Sequence, residues 1–415
     1  MIRHQQYFEV LATLDENSSS WLPTLAGLAV LERVDAIRED PSLARGDWTG
    51  SAAVVETIGQ ISDGNPLRRS LMRVVQNLRC DEIEWAQVND SLFGYGRALD
   101  IDGSWTLAVD VFATVADIAR EDDEPKIAIE ATTALGGAAR RSGDWDRSAE
   151  GYAEAAHLAS ALGDKALGLT VRVGTANTLI ARGNLPEAKT VLDEVLAEAE
   201  SSRLDGVLAL AYHTSAALAH LKKDYAKAVT LGYLALEKTT NVTAKDPVTA
   251  DIAAAFAELG MRDAARDAHL VLSLTSRYQW VRSQALINLM ELSATDGMRE
   301  AFEGYARELS SVPLDPRLRA YFLLYYGEGC EHFGRFAEAT KYIAEARDFA
   351  LSHKIHQVAF EAEQALAAAG KKTRQVARVT ETWRETVPSD VRHVAKAFVH
   401  LREAAMSSSQ AEDSF

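Results

Sequence analysis

From about residue 85 onward, apolar positions recur at intervals of three, four and seven, the spacing of one helical face. Polar breaks interrupt them at a fixed period. Gly103-Ser104-Trp105, Gly143-Asp144-Trp145, Gly183-Asn184-Leu185 and Lys223-Asp224-Tyr225 stand 40 residues apart. Each break is a turn followed by a cap for the next helix. Three residues past each aromatic or leucine comes a small residue: Ala108, Ser148, Ala188 or Ala228. Seven past it comes Phe112, Tyr152, Leu192 or Gly232, and ten past it Val115, Ala155, Val195 or Ala235. Seven before each turn lies another small residue, Gly96, Gly136, Ala176 or Ala216. Small residues at fixed points let helices approach closely, and the large residue fills the gap. Each unit is therefore a helix pair that buries its apolar face only by stacking on its neighbours.

This pattern resembles the tetratricopeptide repeat family in a long, 40-residue variety. "GDWDRSAEGYAEAAHLA" and "GRFAEATKYIAEARDFA" carry the resemblance best. It implies an all-α fold, a right-handed α-solenoid of helix pairs with helical N- and C-terminal caps. About seven units are expected between about residues 85 and 352. The fifth is set on Met261, Ala264, Ala268 and Val271, the sixth on Met298, Ala301, Tyr305 and Glu308, and the seventh on Phe336, Ala339, Ile343 and Ala346. Pro247, Pro313 and Pro316 are placed before first helices, where proline is tolerated.

Residues 1–80 read as four helices, about 2–14, 21–39, 48–61 and 65–79, forming a cap or bundle. "GDWTGSAAVVETI", residues 46–58, looks like an out-of-register second helix. The repeat array is expected over 81–370, a basic helical cap over 371–405 and a disordered tail over 406–415. The C-terminal cap has two apolar stripes, Val376, Val379, Trp383 and Val387, then Val391, Val394, Phe398 and Leu401. It is expected to cover the last repeats. Its charge sets it apart, since residues 371–403 hold eight Lys/Arg against four Asp/Glu.

The whole chain of 415 residues has a formal net charge of −16, which opposes nonspecific binding to nucleic acid or an anionic membrane. Two cysteines, Cys80 and Cys330, make no disulfide framework or zinc spacing, which fits a reducing, cytoplasmic setting. No signal peptide or membrane-spanning run is read. Catalytic motifs are absent. "GYGRAL", at Gly94–Leu99, lacks the third glycine of a dinucleotide loop, and its glycines are expected to serve packing. His353 and His356 are read as a surface pair on one helix. No cofactor, metal site or enzyme activity is expected.

What is left is a binding surface. The resemblance implies that first helices line a concave groove. Register places Phe93, Thr133, Val173 and His213 at one lining position, with Arg97, Gly137, Asn177 and Ala217 four residues on. The Lys–Asn pairs with which some relatives clamp a terminal carboxylate do not occur. Arg97, Arg140, Asn177 and His213 are the candidate polar contacts, and Tyr321 and Tyr325 the candidate aromatic anchors. The expected function is a noncatalytic scaffold or regulator binding a peptide or helical segment of another protein. The alternative is a peptide-responsive signalling or transcription-linked regulator acting through residues 1–80. Nothing in the sequence names the partner or the oligomeric state.

Overall fold

The computed structural model describes residues 3–412 apart from 17, 19, 45–48, 64, 81, 354 and 370–386. The described residues form twenty α-helices and no strand, and they divide into two units, 1–202 and 203–415.

In the first unit four helices precede the repeats: α1 (Gln5–Thr13), α2 (Trp21–Glu39), α3 (Thr49–Gln60) and α4 (Pro66–Leu78). Three helix pairs follow: α5 (Trp85–Asp102) with α6 (Trp105–Glu121), α7 (Pro125–Ser142) with α8 (Trp145–Leu162), and α9 (Lys165–Ala181) with α10 (Leu185–Ser202). The second unit has four pairs: α11 (Asp205–Leu221) with α12 (Tyr225–Lys238), α13 (Val242–Glu258) with α14 (Arg262–Thr275), α15 (Gln279–Thr295) with α16 (Arg299–Ser310), and α17 (Pro316–His332) with α18 (Phe336–Ser352). Then come α19 (His356–Ala369) and α20 (Ser389–Glu412). In each unit consecutive helices pack on one another, so the architecture is all-α and built of tetratricopeptide-like pairs.

One turn joins the helices of every pair. Gly103, Gly143, Gly183, Lys223, Gly260, Gly297 and Gly334 all have positive φ. In each case the next N–H reaches back to a carbonyl five residues earlier, as in Asp144 to Ala139 (2.9 Å) and Arg335 to Cys330 (2.8 Å). This is the glycine-closed helix end that satisfies terminal carbonyls. These turns fix the register. The period is 40 residues through Lys223 and 37 thereafter. First helices keep 17 or 18 residues throughout, while α12, α14 and α16 shorten to 14, 14 and 12.

The register corrects the reading of the fifth and sixth units by one residue. Met261 and Met298 occupy the capping slot just before the second helix. Arg262 and Arg299 stand where Trp105 and Tyr225 do. The positions three, seven and ten past Arg262 and Arg299 are buried, Ala265, His269 and Leu272, then Phe302, Ala306 and Leu309, and Met261, Ala264 and Ala268 are buried as well. Tyr305 is only half-buried and Glu308 is exposed. Three further readings change. Pro247 lies inside α13, in its second turn, where it removes one intrahelical backbone bond. Gly94 faces open space, whereas Gly96 meets the Phe112 ring. His353 ends α18 and His356 opens α19, so they do not share a helix.

α1–α4 share one apolar core with the first repeat, from Tyr7 and Leu31 through Leu71 to Tyr95 and Phe112. The Tyr7 and Tyr95 hydroxyls hydrogen-bond at 3.1 Å. They lie over Gly27, where a Cβ would stand 2.2 Å from the Tyr95 oxygen. His4 bridges Asp35 of α2 (3.2 Å) and Asp110 of α6 (3.4 Å). Burial opposes its imidazolium, but the hydrogen bonds to Asp110 and Asp35 outweigh that and push its pKa up to about 9. The expected turn at residues 46–48 lies outside the described residues.

α20 does not cover the end of the array. It packs on α14 and α12. Val387, Val391, Val394 and Phe398 are buried in a core with Val229, Phe256, Met261 and Ala265. Phe398 meets Phe256 edge-on, with centroids 6.0 Å apart. Arg402 pairs with Asp267 at 2.7 Å. Burial raises the Asp267 carboxyl pKa, and Arg402 offsets part of that rise. The docking is thus chiefly apolar. The stripe over Val376, Val379 and Trp383 lies outside the described residues. The helix runs on through Glu412, past residue 406, where a tail is expected.

Candidate functional site

Packing between helices decides which surface is left for a ligand. The residue seventh after each opening aromatic is driven toward the first helices. At Gly96 a Cβ would lie 2.6 Å from Phe112, at Gly174 2.1 Å from Tyr152, and at Gly327 2.6 Å from Ile343. Tyr152 spans two successive first helices, since it also meets Gly136. These contacts consume one side of each first helix. The other side carries residues that the core does not use.

In the first unit this face belongs to α5, α7 and α9. Arg97 is exposed, its guanidinium 4.8 Å above the Phe93 ring. Arg140 lies one turn past the expected lining position, hydrogen-bonded to the Tyr152 hydroxyl. Its pKa is lowered, by burial first, and its Nε is buried without a partner. The adjacent Arg141 is paired with Asp100, Nε to Oδ1, at 2.8 Å. Asn177 is half-buried on α9. Arg97, Arg140 and Asn177 thus fall on successive first helices of one unit.

His213, Tyr321 and Tyr325 belong to the second unit. His213 is tied to Asp251 of α13, Nε2 to Oδ2, at 2.8 Å. Tyr321 and Tyr325 sit further along, on α17, half-buried, with centroids 5.7 Å apart. Arg317 approaches the Tyr321 ring at 6.0 Å. Three glutamates that the sequence reading missed lie within electrostatic reach of Tyr325: Glu291 on α15, Glu328 on α17 and Glu361 on α19. Glu291 is exposed at the surface, but neighbouring protein reduces the hydration of its carboxylate. This loss first, then Glu328 and Glu361, pushes its carboxyl pKa up to about 7. Burial, followed by Glu291 and Glu361, raises the Tyr325 hydroxyl. Glu291 and Glu328 are 37 residues apart, at the register position of Arg97, which is the signal that finds them.

The arrangement offers aromatic surface, carboxylates and a few guanidiniums. Among the described residues no group of His, Cys, Asp and Glu is placed to hold a metal ion. No helix among them is long and apolar enough to cross a membrane.

No family model and no curated protein matches the chain. Similar solved structures include the apo form of the quorum sensor NprR from B. thuringiensis, at 14% identity over 83% of this chain and 91% of that one, TM-score 0.43. NprR in complex with its cognate peptide NprX is similar at 14% identity, over 83% and 97%, TM-score 0.44. A signal transduction ATPase with numerous domains, carrying a tetratricopeptide repeat sensor, from Pyrococcus horikoshii is similar at 12% identity over 98% of this chain and 62% of that one, TM-score 0.41. Likenesses this remote carry no inference about ligand or activity.

Proposed function

We propose that the protein is a noncatalytic binder of peptide or helical segments, and that the first-helix face of α15, α17 and α19 is its main contact. One observation carries this reading: Tyr321 and Tyr325 form a half-buried ring pair, and Glu291, Glu328 and Glu361 act electrostatically on Tyr325. Half-exposed aromatic rings are the side chains that dominate binding energy at interfaces. Carboxylates beside them favour a lysine or arginine, which a tyrosine face also attracts. The ligand is accordingly a segment with a basic residue. Arg97, Arg140 and Asn177 form a second, oppositely charged contact face in the first unit.

The role of α1–α4 in this reading is a cap. Their common core with α5 and α6, and the seating of Tyr7 and Tyr95 over Gly27, support a fixed element over a separable effector.

The test is binding of full-length protein to a fixed-length peptide array in which each position is varied. Peptides with Lys or Arg should be preferred. The Tyr321→Ala/Tyr325→Ala variant should bind the preferred peptides at least about 30-fold more weakly, as for interface hot spots. Unchanged affinity in that variant, with its helicity intact, would contradict the assignment.

A further inference from the structure

A second feature lies in the second unit, apart from the first-helix face. α12, α13, α14 and the C-terminal half of α20 line a half-open cleft of about 720 Å³. Its size falls within the range of about 300–1,000 Å³ typical of small-molecule sites. Leu236 of α12, Val271, Leu272 and Leu274 of α14, and Leu401, Ala404 and Ala405 of α20 line it. Leu274 and Leu401 are 39% and 43% exposed, although α20 is docked beside them. Helix docking therefore leaves apolar surface uncovered at this point.

The charged groups at the cavity are unbalanced. Glu237 and Asp246 face one cation, Lys245. Ser276 donates to Asp246 Oδ2 at 2.6 Å and fixes that carboxylate. Burial first, then Glu237, raises the pKa of Tyr233, which also lines the cavity. An anionic head group would meet two carboxylates here, and a cationic one would be attracted.

We propose that this cavity binds a small amphiphilic cation, its apolar chain on Leu236, Val271, Leu274 and Leu401 and its charge at Glu237 and Asp246. One wall is α20, which also packs on α12, α13 and α14. The ligand therefore bridges α20 to the repeats and holds it in place. Occupancy stabilises the docked state in proportion to the logarithm of ligand concentration above the dissociation constant.

The test uses n-decylammonium, decanoate and decanol as probes of the full-length chain, with leucine and valine methyls labelled for NMR. Decylammonium should shift the Leu236, Val271, Leu274 and Leu401 methyls saturably and slow amide exchange in α20. Decanoate should bind about tenfold or more weakly, and Glu237→Lys, at an exposed position, should narrow or reverse that preference. Equal binding of decanoate, or the absence of saturable shifts at these methyls, would overturn the proposal. Decylammonium shifts confined to the Tyr321–Tyr325 face would overturn it too, while leaving the peptide reading intact.

Discussion

Truncating Phe398 to alanine removes the largest apolar anchor of α20. The ring is fully buried and meets Phe256 edge-on. Replacing a core phenylalanine by alanine costs about 3–5 kcal/mol, from lost transfer energy and the cavity left behind. Of this, about 0.5–1.5 kcal/mol belongs to the edge-to-face geometry. Val387, Val391 and Val394 remain, each of them smaller. The loss falls on the docking of one helix and so on its local opening equilibrium. At about 1.4 kcal/mol per factor of ten, amide exchange in α20 should accelerate by about a hundredfold to a few thousandfold. Hydrogen–deuterium exchange with mass spectrometry measures this directly, with peptides from α5–α9 as internal reference. Met406→Ala is the control, since Met406 is 46% exposed and its truncation should change stability by no more than about 0.5 kcal/mol. Exchange in α20 within about threefold of wild type in Phe398→Ala would refute the claim that this stripe holds the helix.

Two glycines at one register position should respond oppositely: Gly174→Ala, whose Cβ meets Tyr152, should lose about 1–3 kcal/mol, and Gly94→Ala, in open space, should be neutral or gain up to about 1 kcal/mol in chemical denaturation. Glu291 has its folded pKa raised from 4.5 to about 7, so its penalty is absent below the lower value and fully developed above the higher one. Glu291→Gln should therefore match wild type near pH 4 and have a higher urea midpoint at pH 8; equal midpoints at both would count against the crowded carboxylate. The His4 pKa is raised from 6.5 to about 9, so its contribution is full below the lower value and lost as pH rises through the higher one. His4→Gln should be less stable than wild type at pH 6, with the gap closing by pH 10, and a gap independent of pH would exclude the Asp35–His4–Asp110 bridge as its source.

The repeat was legible because local turn chemistry and helical spacing set it. Gly103-Ser104, Gly143-Asp144, Gly183-Asn184 and Lys223-Asp224 mark four turns without help from the rest of the chain. The fifth and sixth units were read one residue early because methionine fills the capping slot and arginine the aromatic one, and because the shortened second helices change the period. Glycine placement at Gly260 and Gly297, rather than the apolar residues, holds the true register. Docking of α20 was not legible. Its stripe announces a buried face, but Phe398 and Phe256 are 142 positions apart and nothing local pairs them. Of the candidate contacts, Tyr321 and Tyr325 were visible as aromatics on a first helix. Glu291 and Glu328 share the register position of Arg97, but Glu361 joins them only through tertiary packing.

The central claim is that the Tyr321–Tyr325 face selects a basic residue in a peptide. The most direct measurement is a selection from a random peptide library on immobilised full-length protein, run in parallel on Tyr321→Ala/Tyr325→Ala. The account predicts recovered sequences enriched in Lys or Arg at one position, with the enrichment lost in the variant. Recovery without that enrichment, or the same sequences from both proteins, would contradict it.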